Sequence, residues 1–209
     1  MFKQGVVLLL DNAKARAFWA GIIEPIARFL IKFKISPDAV TITGACLSVA
    51  VSFIFIPANH LLVGAVLLGI CSLSDLVDGT MARQLGRTSK WGAFLDSTLD
   101  RVVDASILIS IALYFAKFEN GDSMLMAATY VALIAGQLTS YIRARAESLG
   151  AEAKIGVAER AERMLVLWLA ILATGFGYNA LPFMIYLLAV ISGVTVLQRM
   201  LHVRKQLAG

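Results

Sequence analysis

The chain has 209 residues, 59% of them apolar and 16% charged, with a formal net charge of +5 and a mean hydropathy of +0.78. Soluble domains run at about 45–50% apolar and about 25% charged residues, so this composition is displaced toward a bilayer and excludes a disordered chain. Two cysteines, and glycines without a three-residue period, exclude disulfide-stapled and collagen-like folds. Taken in chain order, the short apolar run Val6 to Leu10 lacks a small-residue cleavage site, so no cleaved signal peptide is expected. Residues 12–34 are amphipathic. Glu24, Arg28 and Lys32 recur every four residues on one helical stripe, with Phe18, Ile22, Ile26, Phe29 and Phe33 off it. Pro25 would weaken a spanning helix. A helix lying in the membrane interface is therefore expected ahead of an additional span.

Six apolar segments follow, at about 38–57, 61–84, 91–117, 123–147, 158–178 and 182–203, each near the roughly 20 residues that cross a bilayer. The breaks between them carry turn chemistry at Pro57-Ala-Asn, Asn120-Gly-Asp and Gly175-Phe-Gly-Tyr-Asn. Ser36 can cap the first span, with Pro37 at its first helical position and Asp38 near its positive end. Cys46 and Cys71 fall in apolar runs and read as small core hydrophobes. The expected fold is an all-α integral membrane protein: one domain over residues 1–209, six transmembrane helices preceded by the N-terminal interfacial helix.

Six alternating spans put the N-terminus, two connections and the C-terminus on one side. That side holds six basic residues before the first span and four around the second–third connection. It holds five more around the fourth–fifth connection and three at the C-terminal end, leaving only Lys117 opposite. The positive-inside rule makes the rich side cytoplasmic, in a multi-pass protein of the cell membrane. The same bias accounts for the net positive charge, so no nucleic-acid partner is inferred.

Most of the chemistry sits in one stretch. Asp75 and Asp78 are three apart and Asp96 and Asp100 four apart, so each pair projects from one helix face, with Gly79, Ala82 and Gly92 as small neighbours. A short connection makes the two helices antiparallel, and the four carboxylates would converge at their cytoplasmic ends. Ionised aspartates near a bilayer are costly. Proton uptake would relieve the repulsion, and so would pairing with Arg83, Arg87 and Arg101. Two divalent ions balance the four charges better, since hard oxygen ligands suit Mg²⁺ or Mn²⁺ and a metal pair can clamp a phosphoryl group.

Written out, Asp75-x₂-Asp78-Gly79-x₂-Ala82-Arg83-x₈-Gly92-x₃-Asp96-x₃-Asp100 resembles the signature of the CDP-alcohol phosphotransferases at all eight of its fixed positions. The resemblance implies a first metal on Asp75, Asp78 and Asp96 and a second on Asp75, Asp96 and Asp100, with Asp100 also the general base toward the attacking alcohol. It implies that CDP-diacylglycerol binds at Gly79, Ala82 and Arg83, with a hydroxyl at Ser89. The family's entry to the first span is matched by Asp38, Ala39, Val40 and Thr41, where Asp38 replaces an asparagine. Membrane lipids as surroundings and a homodimer are further implications. Asp104 continues the four-residue series outside the signature and reads as a hydrogen-bonded or arginine-paired structural carboxylate.

A second basic cluster runs through Ser140, Arg143 and Arg145, then Arg160 and Arg163. Arginines that continue into spans four and five suit phosphate recognition, which favours an anionic acceptor over serine, choline or free inositol. The strings around Ser140 and Arg160 are similar to those of the actinobacterial phosphatidylinositol phosphate synthase branch. That likeness implies transfer of a phosphatidyl group from CDP-diacylglycerol to inositol phosphate, with release of CMP. Ser140, Arg143 and Arg163 are the candidates for the acceptor phosphate, followed by Arg145, Arg160 and Arg199. Transfer to glycerol 3-phosphate, making phosphatidylglycerophosphate, is the alternative. An ion-coupled transporter is a distant one, since such sites lie near the midplane between repeated halves.

Overall fold

The computed structural model describes residues 13–86, 89–119 and 121–208, and for residues 13–19 the backbone alone. The expectations resting on Val6 to Leu10, Lys3, Arg87 and Asn120 lie outside the described residues. Among these residues every regular element is a helix: α1 (Ala13–Lys32), α2 (Pro37–Phe55), α3 (Leu61–Ser72), α4 (Ser74–Gln84), α5 (Lys90–Phe118), α6 (Ser123–Ser148), α7 (Arg160–Gly175) and α8 (Leu181–Leu207). Four stretches are long and apolar enough to cross a membrane: Pro37–Phe55, Leu61–Gln84, Ser123–Ser148 and Leu181–Leu207. Two of the six expected spans fall outside that set for local reasons. The first half of α5 carries Asp96, Asp100, Arg101 and Asp104, and α7 has only 16 residues with Arg160, Glu162 and Arg163 in its first turn.

Helix boundaries follow from caps. Ser36 Oγ accepts the Ala39 N–H at 3.2 Å and starts α2. Ser89 Oγ accepts the Gly92 N–H at 2.9 Å at the start of α5. The Asp122 carboxylate accepts from Met124 and Leu125 at 2.8 and 3.2 Å at the start of α6, each cap satisfying an otherwise orphaned donor. The apolar segment expected as one span over 61–84 is divided at Leu73. There the backbone takes up i−3 bonds, Leu73 N to Ile70 O and Leu76 N to Leu73 O, both 3.1 Å. The flanking Ser72 and Ser74 hydroxyls draw on the Gly69 and Cys71 carbonyls at 2.8 and 2.7 Å, a local competition that tightens the turn. Pro25 lies inside α1 without ending it.

The chain divides into two compact units. The first comprises the described residues of Met1–Ser48 together with Gly69–Asp100. Its small core packs Ile23 and Ala27 of α1 on Val77 and Met81 of α4, with Leu30, Ile31 and Val40 around them. Glu24, Arg28 and Lys32 are exposed on a second face of α1, and Ile22, Ile26, Phe29 and Phe33 on a third, with Phe29 60% and Phe33 62% accessible. Cys46 is exposed and Cys71 half-buried, so neither is the buried core residue the sequence led us to expect. An apolar run in a lipid-facing helix exposes side chains that a soluble fold would bury.

The second unit, Val49–Leu68 with Arg101–Gly209, holds the main core. α6 packs along α8, and α7 against α8. Phe115, Ile111, Leu167, Ile171, Leu181 and Ile185 are fully buried within it. Trp168 Nε1 reaches the Ala65 carbonyl at 2.7 Å. Some buried hydroxyls bond back along their own helices, as Thr129 does to Leu125 O and Thr195 to Ile191 O, both at 2.8 Å. This satisfies groups that would otherwise be costly in an apolar interior.

Candidate active site

In the first unit the short helix α4 and the start of α5 carry the four aspartates. Asp78 is 9% exposed and Asp100 half-buried, whereas Asp75 and Asp96 are exposed. Thr41 of α2 donates from Oγ1 to Asp78 Oδ2 at 2.5 Å, and its oxygen also lies 3.1 Å from the Pro37 carbonyl. Besides Thr41 and the Gly79 backbone, the groups acting most on Asp78 are the carboxylates of Asp96 and Asp100. Two carboxylates thus act on a third, and none of the named neighbours brings positive charge. Hard oxygen donors of this kind fit divalent metal. The fit is one of donor chemistry rather than a closed cage, since among the described residues no three Asp, Glu, His or Cys side chains stand together as a ready metal-binding group.

The surroundings of this cluster are small and polar. Arg83 lays Nη1 3.4 Å from where a β-carbon on Gly79 would stand, and its Nη2 donates to Thr80 Oγ1 at 3.0 Å. Asp38 accepts from Trp91 Nε1 at 3.1 Å. A β-carbon on Gly92 would meet Ser89 Oγ at 3.3 Å and Asp38 Oδ1 at 3.9 Å. Glycine at 79 and 92 therefore lets a guanidinium lie close to one helix backbone and a hydroxyl and a carboxylate close to the other. Of the residues expected around the donor, Thr41, Asp38, Gly79, Arg83 and Ser89 are placed in these contacts. Ala39 is exposed and Ala82 half-buried, and Val40 packs on the core beside Ile23 and Met81. Ser89 already serves as the cap of α5.

The second unit holds the basic residues. Arg163 and Arg199 are each only 7% exposed. Arg163 donates from Nη1 to Ala158 O and from Nη2 to Thr139 Oγ1, both at 3.0 Å. Arg199 donates from Nε to Ile155 O at 2.8 Å and from Nη1 to Thr139 O at 2.5 Å. Thr139 of α6 thus joins both. Arg160 forms a two-point contact with Asp104, and Arg101 donates to Ser140. Arg143 and Arg145 are exposed, bonded within their own helix to Glu147 at 3.0 Å and to Ser148 at 3.4 Å. The charges of Arg199, Arg101 and Arg160 all act on Arg163, with Asp104 the one carboxylate among the groups acting on it. Arg143 and the Glu159 carboxylate act on Arg199 in turn. Around these two buried arginines the guanidiniums still outnumber the carboxylates of Asp104 and Glu159, and an excess of positive charge suits an anion.

A family model described as CDP-alcohol phosphatidyltransferase matches residues 34–202. The chain belongs to this family. Among curated phosphatidyltransferase relatives, the phosphatidylinositol phosphate synthase of Cutibacterium acnes is 44% identical over 200 residues, covering 91% of this chain and 96% of that protein. The crystal structure of Mycobacterium tuberculosis phosphatidylinositol phosphate synthase with CDP-DAG bound superposes with a TM-score of 0.84 at 36% identity, over 88% of this chain and 94% of that one. The same protein in complex with manganese and citrate gives a TM-score of 0.81 at 36% identity, over 86% and 87% of the two chains. CDP-alcohol phosphatidyltransferases use divalent metal, in accord with the carboxylates that act on Asp78.

Two participants in these contacts were not singled out from the sequence: Trp91 holds Asp38 across 53 residues of chain, and Thr139 collects two arginines. Arg101, expected only as a pairing partner for the signature aspartates, joins Ser140 to Asp104. Trp91 directly precedes the signature glycine, and Thr139 sits in the same turn as Ser140 and Arg143. Adjacency to a motif was the only signal available for either.

Proposed function

We propose that this chain transfers the phosphatidyl group of CDP-diacylglycerol to a hydroxyl of inositol phosphate, giving phosphatidylinositol phosphate and CMP. Membership of the phosphatidyltransferase family supports the donor and the reaction class. The observation that carries the acceptor is the excess of guanidiniums about Arg163, which suits a ligand bearing its own phosphate. Likeness to synthases that make this product supports the inositol ring.

Asp75, Asp78, Asp96 and Asp100 would hold two divalent ions, Mg²⁺ or Mn²⁺, which when bound neutralise the charge of the donor's pyrophosphate. The chain's own groups do the rest. Thr41 fixes the rotamer of Asp78. Arg83, lying on Gly79, meets the phosphates of the nucleotide, and the bare backbone at Gly92 lets the nucleoside come close beside Asp38 and Ser89. Asp100 takes the proton of the acceptor hydroxyl as its oxygen bonds to the diacylglycerol-bearing phosphorus. The pyrophosphate bond breaks, and its electron pair leaves on CMP. Ser140, Arg143 and Arg163 orient the acceptor phosphate, with Arg145, Arg160 and Arg199 around them.

Topology belongs to the same proposal. α5, about 43 Å long at 1.5 Å per residue, and α7 complete six crossings. Exposed Ile109, Leu113, Leu165, Val166 and Leu169 on these two helices support a lipid-facing position. α1 lies in the interface, with Phe29 and Phe33 toward the acyl region and Arg28 and Lys32 toward water, and the reaction faces the cytoplasm.

The experiment is CMP release by the purified protein in detergent, with CDP-diacylglycerol, Mg²⁺ or Mn²⁺, and inositol phosphate, glycerol 3-phosphate or free inositol in parallel. CMP is expected with inositol phosphate and only with metal. Turnover with glycerol 3-phosphate alone would transfer the chain to the phosphatidylglycerophosphate synthases, and no turnover with any acceptor would remove the reading.

A further inference from the structure

One carboxylate stands outside the signature yet at the centre of the basic set. Asp104 lies one turn past Asp100 on α5, with its side chain 13% exposed. Arg160, the first residue of α7, grips both carboxylate oxygens, Nε to Oδ2 at 2.8 Å and Nη2 to Oδ1 at 2.7 Å. Arg101, a turn earlier on α5, brings Nη2 within 3.3 Å of Oδ2, while its Nη1 donates to Ser140 of α6. The Arg101 carbonyl in turn accepts from Gln137 Nε2 at 3.0 Å. A single acidic group therefore fixes two arginines that come from helices remote in sequence, and through Arg101 it reaches the hydroxyl of Ser140.

We propose that Asp104 is the positioning residue of the acceptor-phosphate subsite: by clamping Arg160 and Arg101, it holds their guanidiniums ready for a phosphorylated alcohol. This inference rests on the reading of the guanidinium set as that subsite. Two effects of the carboxylate oppose each other. Its charge weakens the attraction of the set for an anion. Its two-point grip removes rotamer freedom that long arginine side chains would otherwise lose when phosphate binds. The grip outweighs the charge, because a guanidinium held through Nε and Nη2 cannot swing out of plane, and because the other arginines keep an excess of positive charge without it.

The test is steady-state kinetics on Asp104→Asn, Asp104→Glu and Arg160→Lys in the full-length protein, varying inositol phosphate and CDP-diacylglycerol separately and recording the thermal midpoint. Asp104→Asn is expected to raise KM for inositol phosphate about tenfold or more, with kcat and KM for CDP-diacylglycerol close to wild type. Asp104→Glu should recover most of that loss. Arg160→Lys keeps the charge but cannot grip in two places, so it should show the same selective rise. An unchanged or lower acceptor KM in Asp104→Asn would mean that charge wins and would overturn the proposal. So would equal loss against both substrates, or failure of all three variants to fold, either of which makes the contact merely structural. A wild-type protein that ignores inositol phosphate would instead defeat the functional reading, a separate outcome visible before any variant is made.

Discussion

At the scale of single residues, the four signature aspartates differ in what surrounds them. Asp78 is buried and held by Thr41, a fixed donor whose hydroxyl cannot follow a moving proton without giving up a 2.5 Å bond. Asp100 is half-buried at the C-terminal end of the series, closer to the basic stretch along the chain, since Arg101 follows it directly. A proton acceptor must exchange its proton with solvent once per turnover, and partial exposure suits Asp100 to that better than Asp78. Asp100→Asn keeps shape and hydrogen-bonding capacity but cannot take the proton. It is expected to lower kcat by about 10²–10⁴-fold, the usual contribution of general base catalysis. Binding of CDP-diacylglycerol, read by calorimetry, should stay within a few-fold of wild type, while Mn²⁺ binding weakens, because Asp100 is also a ligand of the second ion. Near-normal turnover in that variant would move the base elsewhere.

At the scale of elements, the sequence was most readable where apolar runs were long. The helices Pro37–Phe55, Ser123–Ser148 and Leu181–Leu207 follow directly from such runs bounded by Ser36, Asp122 and the Gly-Phe-Gly-Tyr turn. The interruption at Leu73 was not readable, because it arises from hydroxyls competing for backbone carbonyls inside an otherwise continuous apolar stretch. The chemistry divides in the same way. The aspartates announce themselves by spacing within one turn of helix. The Arg160–Asp104 clamp joins residues 56 apart, and nothing local marks them as partners. Close approach of backbones is likewise invisible in sequence. A β-carbon on Gly175, at the end of α7, would lie 2.5 Å from the Leu62 nitrogen and 2.7 Å from its Cα at the start of α3. Backbone cannot step aside cheaply as a flexible side-chain tip can. Gly175→Ala is therefore expected to cost about 1–3 kcal/mol, the usual range for forced overpacking. In a protein of this size that lowers the thermal midpoint by several degrees, measurable by intrinsic fluorescence in detergent. An unchanged midpoint would mean that the two helix ends are free to separate.

At the scale of the whole molecule, charge placement and apolar length must agree on one arrangement in the bilayer. With six crossings, the basic residues fall almost wholly on one side, and Lys117, in the last turn of α5, stands alone on the other. With only the four most apolar stretches crossing, α5 and α7 would lie outside the bilayer, with Ile109, Leu113 and Leu169 left in water. Each such side chain forfeits about 1.5–3 kcal/mol of burial. The charges in the first half of α5 do not offset this, because Asp104 is paired with Arg101 and Arg160, and the aspartates sit toward one end of a helix longer than the hydrocarbon core. Six crossings therefore carry the smaller cost. The measurement is labelling by a membrane-impermeant maleimide, after Cys46 and Cys71 are replaced by serine. Lys117→Cys should react in sealed right-side-out vesicles, and Lys154→Cys only in inverted or permeabilised ones. Both positions are exposed, so accessibility of the thiol itself does not limit either reaction. With four crossings α6 still separates the two positions but the sides are exchanged, so Lys154→Cys reacting in right-side-out vesicles and Lys117→Cys only in inverted ones would overturn six crossings. That result would move the aspartates and the arginines to opposite faces of the membrane, where no single transfer reaction could use both.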